Sequence, residues 1–107
     1  MKNKILIIGA SGSFGSELVK LYNKKHLLMT YNTNYIKKGI KFNAVKDEIE
    51  KKIRSLHKIK EGFILFAEKN PNICFKKRKY TDSLNVKAVK KILNSFKKFS
   101  IKPIFLS

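Results

Sequence analysis

The chain of 107 residues is long enough for one domain with a modest core, and its 43% apolar content argues against an intrinsically disordered protein. A single cysteine excludes an internal disulfide, and no apolar run approaches the ~20 residues that cross a membrane. Because the opening apolar run is also too short for a signal peptide, we expect a protein of the cytoplasm.

The formal net charge of +18 is unusually high and raises the question of nucleic-acid binding. However, only Arg54 and Arg78 are arginine, the residue whose planar fork suits phosphate contacts, and lysine is spread along the whole chain. The densest cationic run covers residues 76–79. We interpret most of this charge as solvated surface and regard nucleic-acid binding as the less favoured alternative.

The first predicted element is a strand at residues 5–8, whose aliphatic side chains alternate to both faces, as in a buried parallel strand. Glycines follow at even spacing, at Gly9, Gly12 and Gly15. Apolar residues then recur at helical spacing, at Phe14, Leu18, Leu21 and Tyr22. This segment is therefore predicted to form a strand, a tight glycine turn and an amphipathic helix.

A turn of this kind suits a diphosphate. Lack of a side chain lets the chain bend sharply at Gly9, lets the backbone approach a pyrophosphate at Gly12, and lets the helix pack closely at Gly15. Unpaired N–H groups and the helix dipole favour negative charge at the helix N-terminus. We therefore predict dinucleotide binding, rather than an ordinary glycine-rich loop, by Gly9, Ser11, Gly12, Ser13, Phe14 and Gly15.

Strands and helices alternate along the rest of the chain. Further strands are predicted at 26–31, 40–45, 63–67 and 102–107, with Gly62 breaking the pattern before the fourth and a loop at 70–79. An amphipathic helix is predicted from Asp47 to about Leu56, and a long helix is predicted to be capped by Asp82 or Ser83. The apolar stripe of the long helix is predicted to comprise Val86, Val89, Ile92 or Leu93, Phe96 and Phe99.

This alternation predicts an α/β fold with a Rossmann-like parallel sheet in the order 3-2-1-4-5 and helices on both faces. In such a sheet a cofactor binds at the switch point between strands 1 and 4. His26 and His57 lack cysteine or acidic neighbours at ligand spacing, so no metal site is expected.

The residues after the second strand bear on the choice of cofactor. NAD-selective sites place an acid about 20 residues after the glycine turn, but no acid occurs between Glu17 and Asp47. The strand instead ends near neutral polar and cationic residues that are compatible with a 2′-phosphate, including Asn32, Thr33 and Lys37. We therefore favour NADP over NAD, although these residues also suit a plain turn. Asn43 is placed to meet the adenine edge, or alternatively to hydrogen-bond its own turn.

The segment IIGASGSFGSEL at residues 7–18 resembles the N-terminal fingerprint of the extended short-chain dehydrogenase/reductase superfamily. Within it, the chain is most similar to dTDP-4-dehydrorhamnose reductase and related sugar-nucleotide reductases and epimerases. Supporting segments are TYNTN (30–34), FAEKNPNIC (66–74), SLNVKAVKKIL (83–93) and PIFLS (103–107), so the likeness covers essentially the whole chain.

This resemblance implies hydride transfer between NAD(P) and a keto-sugar nucleotide. It also implies that Ala67 packs near the cofactor and that Asn85 supports the active site. Asn43 departs from the family, which usually has aspartate at that position.

The family also uses a Tyr-x-x-x-Lys pair, and none of the four tyrosines of this chain has lysine four residues later. The family's catalytic serine or threonine would fall just past Ser107. We therefore expect residues 1–107 to form an incomplete NAD(P)-binding domain, truncated after strand 5, without catalytic residues and inactive alone. The alternative function is a non-enzymatic nucleotide-binding or regulatory module. The edge of strand 5 is expected to pair with a complementary polypeptide or a second copy.

Overall fold

A computed structural model of the chain describes residues 3–10, 13–22, 24–65 and 78–105. Its strands form one parallel sheet in the order β3-β2-β1-β4-β5. They are β1 (Lys4–Ile8), β2 (Leu27–Tyr31), β3 (Ile40–Lys41), β4 (Ile59–Ile64) and β5 (Lys102–Phe105). The predicted fold class and strand order are confirmed.

Helices pack on both faces of this sheet. They are α1 (Ser13–Leu21), α2 (Ile49–Lys52) and α3 (Arg78–Lys98), with short 3₁₀ turns at Lys24–His26 and Leu56–Lys58. The central strand is buried on both sides, because Leu6 and Ile8 pack in the core beneath α2 and α3 while Ile7 packs beneath α1. A strand between two apolar cores explains the uninterrupted aliphatic run.

The predicted bounds of β3 and β4 were wrong. The sheet pairing of β3 ends at Lys41, because the chain after it forms a tight turn around Asn43. The fourth strand, β4, begins at Ile59 and includes Gly62, which was predicted to break the pattern before the strand. An added Cβ at Gly62 would overlap the ring of Phe96. The glycine therefore lets α3 pack closely against β4.

The predicted helix ends and apolar faces also need correction. In the described ranges α3 begins at Arg78, so Asp82 and Ser83 lie inside the helix rather than capping it. Its buried face follows Ala88, Ile92 and Phe96, and the predicted stripe member Val86 is 51% exposed. On α1, Leu21 is 77% exposed, and the residues that pack on the core are Leu18 and Val19, together with Tyr22 directly after the helix. The helix predicted from Asp47 to Leu56 is shorter, with α2 limited to Ile49–Lys52.

The sheet ends at β5, which pairs with β4 and has no second strand neighbour among the described residues. Phe105 on this strand is 55% exposed, so an apolar side chain lies at an open edge. Among the described residues, no helix combines the length and the apolar character needed to cross a bilayer.

Candidate functional site

The candidate site begins at the carboxyl end of β1, where the chain turns through Gly9 and Ala10. Gly9 has φ 87°, a left-handed conformation that residues with side chains rarely adopt. The Ala10 N–H donates to the Thr30 carbonyl at 2.9 Å, and the Gly9 N–H donates to Thr30 Oγ1 at 3.2 Å. The turn is therefore held by the end of the neighbouring strand β2.

Gly15 brings α1 against this turn. A Cβ added to Gly15 would overlap backbone atoms of Ala10, and Gly15 itself is buried. The helix can therefore start directly beside the turn only because this residue has no side chain. This is the close helix–strand packing that the third glycine predicts.

Several predicted site residues fall outside the described part of the chain, in whole or in part. Ser11, Gly12 and Ala67 lie outside it. The backbones of Ser13 and Phe14 form the first turn of α1, and the backbone of Asn85 lies within α3, but their side chains are not among the described ones. Their predicted cofactor contacts stay predictions.

An open cleft of about 620 Å³ lies where β2 and β3 end. Its lining brings together three predicted residues, Asn32, Thr33 and Asn43, with Lys41, Lys46, Asp47 and Lys52. Lys37 is not in this lining; it is exposed in a turn closed by the hydrogen bond from Gly39 N–H to the Ile36 carbonyl. The cleft offers amide, hydroxyl and ammonium groups, which suit an anionic, hydrogen-bonding ligand.

Sequence reasoning missed the cleft lysines Lys41, Lys46 and Lys52. The predicted strand at 40–45 obscured the early end of β3, after which the chain turns and brings Lys46 beside the carboxyl end of β2. The only available signal was the short spacing of lysines around an asparagine, which is weak in a chain so rich in lysine.

Asn43 organises the loop that follows β3. Its Oδ1 accepts the N–H groups of Val45 at 3.0 Å and Lys46 at 3.2 Å. Its own N–H donates to Asp47 Oδ2 at 2.8 Å, and the Asp47 N–H donates to the Asn43 carbonyl at 2.7 Å. Asn43 therefore makes the turn contacts of the alternative interpretation, and its contact with adenine stays a prediction.

A lysine on α3 joins this loop to the helix. Lys91 Nζ donates to the carbonyl oxygen of Asp47 at 3.2 Å and to that of Val45 at 3.5 Å. Nearby, Lys98 Nζ lies 3.0 Å from Glu50 Oε1 of α2. Among the described residues, no three His, Cys, Asp or Glu side chains form a group that could hold a metal ion.

Comparisons with known proteins place this geometry in context. No protein-family model matches the chain, and no curated protein matches it by sequence. The crystal structure of a hypothetical dTDP-4-dehydrorhamnose reductase from Sulfolobus tokodaii does match, with a TM-score of 0.81 and 24% sequence identity. The match covers 97% of this chain and 38% of that chain. The chain is therefore similar in fold to part of this hypothetical dTDP-4-dehydrorhamnose reductase, and it spans less than half of that protein's length.

Proposed function

We propose that the chain binds a nicotinamide dinucleotide, as the NAD(P)-binding portion of an oxidoreductase that acts on a keto-sugar nucleotide. The main observation is the turn at Gly9, bent into a left-handed conformation at the end of the central strand and packed against α1. Parallel α/β sheets bind dinucleotides at this position. The fold likeness to a reductase supports the same proposal.

The proposed binding mode divides the roles of the glycine turn. The N–H groups of Gly9 and Ala10 are engaged by Thr30, so Gly9 contributes a bend rather than a donor. The diphosphate is instead assigned to the backbone from Ser11 to Phe14, at the positive end of the α1 dipole. The adenosine extends towards the cleft beyond β2, and the nicotinamide towards Ala67 and Asn85.

We favour NADP as the dinucleotide. The cleft is lined by three lysines, Lys41, Lys46 and Lys52, and by a single carboxylate, that of Asp47. This excess of positive charge favours the extra phosphate of NADP. The cleft residues of the loop after β2, Asn32 and Thr33, supply neutral polar groups rather than the acid that usually binds an NAD ribose.

A bound nicotinamide supplies a hydride for reduction of a carbonyl carbon. In this proposal the chain's own residues hold and orient the dinucleotide. The Tyr-x-x-x-Lys pair implied by the family resemblance does not occur among the residues of this chain. We therefore propose that the chain does not catalyse the reaction alone. Reductase activity that appears only with an added second polypeptide would favour this proposal over the alternative of a non-enzymatic regulatory module.

The direct test is titration of the purified chain with NADPH and with NADH, in which nucleotide fluorescence measures binding. We expect saturable binding, tighter for NADPH, that is lost in a Gly12→Val variant because the added side chain excludes the diphosphate. Leu21→Ala is the matched control, because this residue is exposed on α1, and it should bind like the wild type. Absence of saturable binding in a folded sample would contradict the proposal.

A further inference from the structure

Thr30 is one of the few buried polar residues among the described part of the chain, at 1% exposure. Its hydroxyl lies against the end of the neighbouring strand, where it accepts the Gly9 N–H at 3.2 Å and donates to the Ile7 carbonyl at 3.4 Å. Its carbonyl accepts the Ala10 N–H at 2.9 Å. Thr30 of β2 therefore makes three hydrogen bonds at the carboxyl end of β1, with Ile7, Gly9 and Ala10.

We infer that Thr30 is a positioning residue, which selects the shape of the glycine turn that binds the diphosphate; this inference rests on the proposed function. Gly9 has no side chain to restrict it and can adopt several backbone conformations of similar energy. The hydroxyl provides an acceptor for the Gly9 N–H in the observed conformation at φ 87°. Removing the acceptor leaves a part-buried N–H without that partner and weakens the selection.

The expected effect follows from populations. If only a fraction of the molecules has the binding-competent turn, the apparent dissociation constant increases by the inverse of that fraction. A valine has nearly the shape of threonine but no hydroxyl, so it preserves packing in the strand and removes only the hydrogen bonds. We expect Thr30→Val to weaken NADPH binding about tenfold, which corresponds to about one tenth of the variant molecules having the binding-competent turn.

The matched variant is Thr30→Ser, which keeps the hydroxyl and loses the methyl group. It should bind NADPH nearly as the wild type does. A second probe, adenosine 2′-monophosphate, carries no diphosphate, so its affinity should be the same in all three proteins. A general loss of structure would instead weaken the binding of both NADPH and adenosine 2′-monophosphate, and that result would overturn the inference. Equal NADPH affinity in Thr30→Val and the wild type would also overturn it.

A measurement without ligand separates this inference from the proposed function. Amide hydrogen exchange at Gly9, followed by NMR, should be faster in Thr30→Val and close to wild type in Thr30→Ser. If the folded wild type binds no NADPH, the proposed function fails and the positioning inference fails with it, whereas unchanged exchange at Gly9 overturns the inference alone. If Thr30→Val does not fold, the pair Thr30→Ala and Thr30→Ser differs by the same hydroxyl and gives the same comparison.

Discussion

The ring of Phe96 on α3 lies where a side chain on Gly62 of β4 would project. Phe96 is 1% exposed, and Gly62 is buried in the strand, so the helix approaches the sheet more closely than any larger residue would allow. This contact packs α3 directly against β4, the strand that pairs with β1.

The first prediction concerns this contact. Gly62→Ala should lower the free energy of unfolding by about 1–3 kcal/mol, because the added methyl group forces the buried ring to move. Urea denaturation measures the change. Combining it with Phe96→Leu, which shortens the ring, should cost less than the sum of the two single changes. Additive effects would show that the two residues do not compete for the same space.

A second prediction concerns the packing of α1. Gly15→Ala should destabilise the protein by about 3 kcal/mol, because the new Cβ would overlap backbone atoms of Ala10, which cannot move aside like a flexible side chain. NADPH affinity should decrease with it. Leu21→Ala, on the exposed face of the same helix, should change stability by no more than about 0.5 kcal/mol. A stable Gly15→Ala variant with unchanged binding would contradict this packing.

Asn43 gives a third prediction. Asn43→Ala removes the acceptor of two N–H groups and should cost about 1–2 kcal/mol in the free energy of unfolding. Asn43→Asp keeps an acceptor at the same position, so in thermal unfolding it should lose less stability than Asn43→Ala, even though the new carboxylate lies near that of Asp47. Equal destabilisation by both variants would mean that the side-chain oxygen does not support the turn.

The cleft lysines give a fourth prediction. Lys41→Glu combined with Lys46→Glu should weaken NADPH binding about tenfold and change NADH binding less, because NADPH carries the additional phosphate. Lys60→Glu combined with Lys97→Glu makes the same change in net charge on exposed lysines outside the cleft lining. Equal losses in both double variants would indicate a long-range charge effect without a localised phosphate site.

The open edge of the sheet gives a fifth prediction. The 107-residue chain should self-associate with increasing concentration, because β5 has no second strand neighbour in the described part of the chain and carries the exposed Phe105. Phe105→Lys should weaken association in sedimentation velocity, and Leu21→Lys, an equivalent change on α1, should not. A monomeric wild type at all concentrations would contradict this prediction.

The β1–α1 segment could be predicted from sequence because its signals are local: an aliphatic run, three glycines and a helical repeat within a short stretch. Gly62 was misinterpreted because its role depends on Phe96, which is distant in sequence and reaches it only in the folded protein. The cleft lysines were missed for a related reason, since the early end of β3 decides where they lie. Thr30 resembles any strand residue until its hydroxyl is seen beside Gly9.

The sheet order also has a consequence for biosynthesis. The central strand pairs on one side with β2, but its other partner is β4, with Ile7 beside Phe63. At a translation rate of ~5–20 residues per second, a nascent β1 waits on the order of 3–10 s before that partner is made. During this interval the second side of β1 has no strand partner, so the sheet cannot form around its central strand until β4 has been synthesised.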